Sequence, residues 1–160
     1  MKANAIEEEL MEHESILSHV PSSWVESLHT QMMEHAKAGR VSMALDYARG
    51  VLMVNPDDAR SWLSVGMLHR ELGQLGVSAK CLAQASAKDP DSRAVKLERG
   101  ELLVLMGDAR QGLELIRDVF LEGYQEALPV DEQDMITLRA GGLLESVQRV
   151  VDALEEVRAS

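Results

Sequence analysis

Five histidines, His13, His19, His29, His35 and His69, are the first residues of this chain that could do chemistry. An imidazole can hold a metal ion or move a proton near neutral pH, but a zinc site needs ligands brought to one helical face, as in H-x-x-x-H. His29 and His35 are six residues apart, on different faces, and the chain has no H-x-x-x-H. Cys81 is the single cysteine, so no internal disulfide and no C-x-x-C motif can form, and it reads as a buried small residue. Glu7-Glu8-Glu9 and Glu155-Glu156 offer neighbouring carboxylates, yet each group falls on the polar face of an end helix, where solvation explains it. The stretch GQLGVSAK, residues 73–80, sets two glycines before a helix and ends in Lys80. It lacks the G-x-x-x-x-G-K-[ST] order of a phosphate loop. Serine, histidine and aspartate occur with no motif that assembles a triad. No metal, no cofactor and no catalytic activity is expected.

Composition narrows the partners as well. Of 160 residues, 46% are apolar but only 3% aromatic, and nine are Met, so the core must be aliphatic with unbranched Met filling irregular gaps. The formal net charge of -11, with no cluster of Lys or Arg, speaks against a nucleic-acid backbone or an anionic membrane. No apolar run approaches the roughly 20 residues that span a bilayer, and the opening MKANAIEEELMEHE has no signal-peptide core. A soluble cytoplasmic protein, in one domain over residues 1–160, is expected.

The elements that position the remaining candidates follow a repeat of 34 residues. Val25–Asp58, Ala59–Ser92 and Arg93–Glu126 align, with Gly39, Gly73 and Gly107 at the fifteenth position. Gly66 and Gly100 share the eighth, Ala44, Ser78 and Gly112 the twentieth, and Pro56 and Pro90 the thirty-second. A glycine at the eighth position lets one helix approach the next, and one at the fifteenth suits a left-handed C-terminal cap. Asn55-Pro56 and Asp89-Pro90 end the second helix of a pair, because the residue before proline is driven out of the α region. Helix pairs are expected at 24–38 and 42–54, 58–72 and 76–88, and 92–106 and 109–120. His35 and His69 share a column, which points to packing between the helices of a pair.

The ends carry their own stripes. Ile6, Leu10, Leu17 and Val20 recur at helical spacing over residues 1–20, with His13 among them. Such a helix either caps the repeats or makes a dimer contact through Ile6, Leu10 and Leu17, and the pattern leaves both open. HVPSS is a turn in which Ser23 is expected to cap the first repeat helix. Over 131–158, after a possible cap at Asp131, Leu143, Val147, Val150, Leu154 and Val157 form the apolar stripe of a closing helix that covers the last repeat.

Trp62, Gly66, Gly73, Ala85 and Pro90 make the middle segment resemble the tetratricopeptide repeat, whose consensus has W, G, G, A and P in those columns. The resemblance implies an all-α fold, with three helix pairs over 25–126 in a short right-handed superhelix between the two end helices. It also implies a concave surface made by the second, fifth, ninth, twelfth and thirteenth residues of each repeat. Those columns supply His29, Met33 and Ala36, then Arg60, Leu63, Met67 and Arg70, then Leu97, Glu101 and Val104 as groove residues. Met and Leu would adapt to apolar side chains there, and Arg60 and Arg70 could hold carbonyls or a carboxylate.

Two stretches are more particular. AGRVSMALDYARGVLMVNPDDARSWLSVGMLHRELGQL and LRAGGLLESV are similar to the class II chaperones of type III secretion, which serve the translocator proteins. This resemblance implies a virulence-associated secretion chaperone that holds an extended segment of a hydrophobic translocator in its groove before export, without a nucleotide, often as a homodimer. Those chaperones carry several aromatics in the repeats, and an acidic-Pro-Arg start to the third where this chain has Asp91-Ser92-Arg93. The alternative is a tetratricopeptide scaffold, adaptor or assembly co-chaperone for a needle or apparatus subunit, which binds a partner protein without a holding role.

Overall fold

The computed structural model describes residues 20–124 and 134–159. Among the described residues there are seven helices and no strand: α1 (Ser22–Lys37), α2 (Val41–Val54), α3 (Ala59–Glu71), α4 (Leu75–Lys88), α5 (Arg93–Leu105), α6 (Ala109–Gly123) and α7 (Met135–Ala159). α1 to α6 form the three expected pairs, with every end within three residues of the position read from the repeat. The chain groups into two compact units, the first ending at Lys88 and the second beginning at Asp89.

The helix ends explain the 34-residue spacing. Asp58 and Ser92, one repeat apart, are the N-caps of α3 and α5 and accept hydrogen bonds from the Ser61 and Val95 amides. Asp108 does the same for Gln111 at the start of α6. α1 differs from expectation: its N-cap is Pro21, with no side-chain cap, and Ser23 lies inside the helix. At the other end of α3, Gly73 takes φ +71°, so that its amide reaches the Arg70 carbonyl at 2.9 Å and the Gln74 amide reaches the His69 carbonyl at 2.9 Å. This is a Schellman cap, open to glycine because a Cβ disfavours the left-handed region. The same two bonds recur around Gly39 and Gly107.

In the first unit, Met32, Ala44, Leu45, Ala48, Val65, Leu68 and Cys81 form the core, with Tyr47 and Trp62 packed at its margin. A Cβ on Gly66 would stand 2.8 Å from Cγ and Cδ2 of the fully buried Leu82, so α3 and α4 meet more closely than any side chain there would permit. Trp62 donates its indole N–H to the Pro56 carbonyl at 2.8 Å, tying α3 to the turn that precedes it. The two histidines of one column do pack within their pairs. His35 stacks on Tyr47 with centroids 5.1 Å apart, and His69, 8% exposed, meets Gln74 Oε1 at 2.6 Å. Cys81 is buried, and burial pushes its thiol pKa up.

In the second unit, Leu97, Ile116, Val119 and Ala140 are the buried centre, joined by Val104, Phe120, Ile136, Leu143 and Leu144. The close approach of α5 to α6 uses two facing glycines, since a Cβ on Gly112 would lie 2.6 Å from the Gly100 carbonyl oxygen. α7 opens on Asp134, which accepts from the Ile136 and Thr137 amides, each at 3.0 Å. Arg93 donates to Asp134 Oδ2 at 2.9 Å, to the Val119 carbonyl at 3.3 Å and to the Thr137 hydroxyl, so one guanidinium joins the start of α5 to both later helices. Asp131, expected as that cap, lies outside the described residues, as do the side chains of Leu154 and Val157.

Candidate partner-binding surface

The expected groove residues of the first unit lie on α1 and α3. Between these helices a shallow apolar depression of about 90 Å³ is lined by Met32, Met33, Ala36, Ser64, Met67, Leu68 and Glu71. Met33 is 48% exposed, and Met67 and Ala36 are half-buried, so all three are open to an incoming side chain. Leu63, one turn before Met67 on α3, is half-buried as well. Glu71 occupies the thirteenth column of its repeat, whereas Ser64, at the sixth position, falls outside the columns; its i, i+3 and i+4 spacing to Met67 and Leu68 was the available signal.

One end of this surface is polar and already engaged. His29 is buried at 8% exposure with Nε2 3.2 Å from Asp58 Oδ2, a close contact whose direction falls short of a hydrogen bond. His29 therefore stands behind the surface, against the carboxylate that caps α3, and not in a groove where a client would meet it. Arg60 is exposed, but its guanidinium meets Glu26 Oε1 at 3.2 Å and Asp58 Oδ1 at 3.7 Å. The hydrogen bond that Arg60 donates to Glu26 leads the causes that raise its pKa. A client carboxylate would have to displace these partners. Arg70 is half-buried near the far end of α3.

The residues expected from the third repeat have different surroundings. Leu97 is 1% exposed and belongs to the core of the second unit, because Ala140 of α7 packs into the same cluster. That overturns its place in an open groove. Glu101 is held by Arg139, whose Nη2 lies 2.5 Å from Glu101 Oε1 while Nη1 donates to Glu98 at 2.6 Å. Glu98 is 2% exposed, so this is a largely desolvated carboxylate. Burial draws the Arg139 pKa down, but the charge and hydrogen bond of Glu98 raise it on balance. Val104 is half-buried against Gly112. The consensus column could not reveal Arg139, which reaches Glu98 across 41 positions of sequence. Ile6, Leu10 and Leu17, expected at a dimer contact, lie outside the described residues.

No described helix is long and apolar enough to cross a membrane. No family model matches the chain, and no curated protein matches it. Solved structures do match. The Yersinia enterocolitica type III secretion translocator chaperone SycD is 15% identical, with a TM-score of 0.69 over 82% of this chain and 96% of that one. A type III secretion complex from Aeromonas hydrophila is 22% identical, with a TM-score of 0.69 over 93% of this chain and 98% of that one. PcrH of Pseudomonas aeruginosa, in complex with the chaperone binding region of PopD, is 19% identical, with a TM-score of 0.66 over 82% of this chain and 96% of that one. The chain shares the helix-pair fold of these chaperones.

Proposed function

We propose that this chain is a cytoplasmic chaperone of type III secretion that holds an extended, apolar segment of a translocator-type client before export, without catalysis. The observation that carries the reading is the methionine-lined depression between α1 and α3, where Met33 and Met67 stay open to a partner. Unbranched thioether side chains adapt to varied apolar anchors. Support also comes from the proteins that share the fold: PcrH is solved with chaperone binding regions of PopD and PopB, and SycD with a peptide of the translocator YopD. The formal net charge of -11 would keep a complex with an apolar client in solution.

Co-expression with a translocator protein from the same organism tests the reading. A soluble complex that also suppresses aggregation of the apolar client is the expected result. Binding without suppression would make the protein an adaptor instead, and no binding would remove the client class.

A further inference from the structure

In the second unit, α6 and α7 leave an open apolar depression of about 400 Å³, lined by Leu113, Leu144 and Val147 with the exposed Glu114, Arg117 and Glu145 around them. It lies on a seam of α7 that the core of the unit does not use up. Ile136, Ala140, Leu143, Val147 and Val150 alternate in steps of four and three, and Leu154 and Val157 continue the alternation in the sequence. Ala140 is fully buried, and Ile136 and Leu143 pack with it into the core. Beyond them the cover thins: Val147 is half-buried at the depression and Val150 is 59% exposed. Gly141 faces Phe120 while Val147 shares the depression with Leu113, so α7 runs antiparallel to α6 and, at 25 residues against 15, outlasts it. Covering the last repeat requires no apolar seam past the neighbouring helix. A strict alternation of four and three held over three heptads is the pattern of a helix that packs along another of its kind.

We propose that this face is an interface between two copies of the chain, in which the α6–α7 hairpin of one packs on that of the other about a twofold axis. Charge selects a second copy over a different partner. Arg110 pairs with Glu114 and Arg149 with Glu145, so both carboxylates at the depression are offset by an arginine of their own helix, and Arg117 adds a third cation. The formal net charge of the chain is -11, and two copies repel wherever their acidic surfaces meet. At this face the repulsion is absent. A twofold contact also sets a surface against itself, which requires both signs on the one patch, and the patch carries both. A partner of strongly basic or strongly acidic character would instead be matched by a surface of one sign. Packing agrees with this occupant, since two hairpins make a four-helix arrangement that covers Leu113 of α6 and Val147 and Val150 of α7 together. The inference is independent of the proposed client, which has no part in its test.

The mass of the full chain, read by sedimentation equilibrium over a range of concentrations, should show a dimer that dissociates on dilution. Val147→Glu should raise its dissociation constant on the order of a hundredfold, because one buried valine is worth roughly tenfold and a twofold contact loses it twice. Val150→Glu changes an exposed position, so the fold should persist, and it should weaken the dimer in the same direction. This second variant decides the matter if Val147→Glu loses its helical circular dichroism. Met53→Glu adds the same charge on the exposed side of α2 and should leave the constant unchanged, which separates a lost contact from added repulsion. A parent that stays monomeric at every concentration would overturn the inference. So would a dimer that Val150→Glu leaves intact, or one that Met53→Glu weakens equally. A dimer that responds to Leu10→Asp and not to the α7 variants would also overturn it, and would assign the contact to the opening stripe.

Discussion

Arg93 and Asp134 meet at 2.9 Å, so the first residue of α5 is bonded to the carboxylate that caps α7, 41 positions away. The Asp134 carboxyl is held well below its usual value of 3.8, first by the Thr137 hydroxyl, then by Arg93, then by the Thr137 amide. A carboxylate with a depressed folded-state pKa adds stability that is complete above the unfolded value and is lost as pH falls through the folded one. Asp134→Ala should therefore cost about 1 kcal/mol near neutral pH, the ordinary scale for an N-cap. The gap between the variant and the parent should narrow as the pH drops below about 3.8, read from urea midpoints along a pH series. A gap constant down to the acid limit would contradict this.

Gly66 and Gly76 should respond to alanine with opposite signs. A Cβ on Gly66 meets Leu82 at 2.8 Å, and Leu82 is 1% exposed with nowhere to move. Overpacking of about 1–3 kcal/mol should outweigh the gain of about 1 kcal/mol in helix propensity, so Gly66→Ala is destabilising. Gly76, in the first turn of α4, has nothing within 4 Å of its would-be Cβ, and Gly76→Ala should stabilise by about 0.4–1 kcal/mol. Thermal midpoints of the two variants provide the comparison.

Arg139→Ala removes the guanidinium that faces Glu98, whose side chain is almost fully desolvated. Breaking a buried pair from one side is expected to cost about 3 kcal/mol. The double variant Arg139→Leu with Glu98→Leu should recover only part of it, since it removes the Glu98 charge but takes from Glu101 the guanidinium that also holds it. Urea unfolding of the single and double variants would show whether the two costs are coupled.

Met33→Glu places a carboxylate in the α1–α3 depression at a position 48% exposed, so the fold should persist. Loss of one buried methionine contact, about 1.5–3 kcal/mol, corresponds to roughly a tenfold or greater fall in client affinity. Titration of the client segment by calorimetry would measure it. Met53→Glu, on a still more exposed methionine of α2 outside the depression, should leave affinity unchanged.

Helix pairs were legible in the sequence because their punctuation is local. Gly73 needs its φ of +71° whatever surrounds it, and Pro56 ends α2 by its own ring. Gly66 was legible for a similar reason, since a missing side chain signals a close neighbour even before that neighbour is known to be Leu82. The groove was legible only in part. Met33 and Met67 follow from the columns of a repeat, but Leu97 occupies the same column as Leu63 and is buried, because α7 supplies Ala140 to its cluster. His29 is buried instead against Asp58, the cap of α3, a helix of the next pair. In each case the missing information was which distant side chain arrives, a property of packing that no column of one repeat contains.

The floor of the α1–α3 depression is chiefly methionine, with Met32, Met33 and Met67 along it. Met33 and Met67, unlike the buried Met32, remain able to turn about three single bonds, and fixing one can cost up to about 1.5–2 kcal/mol of rotamer freedom. A surface of this kind has no single mould. On the reading proposed above, it would accept many shapes and hold each of them less firmly, so that a bound segment would stay only briefly for the area it covers and could leave again.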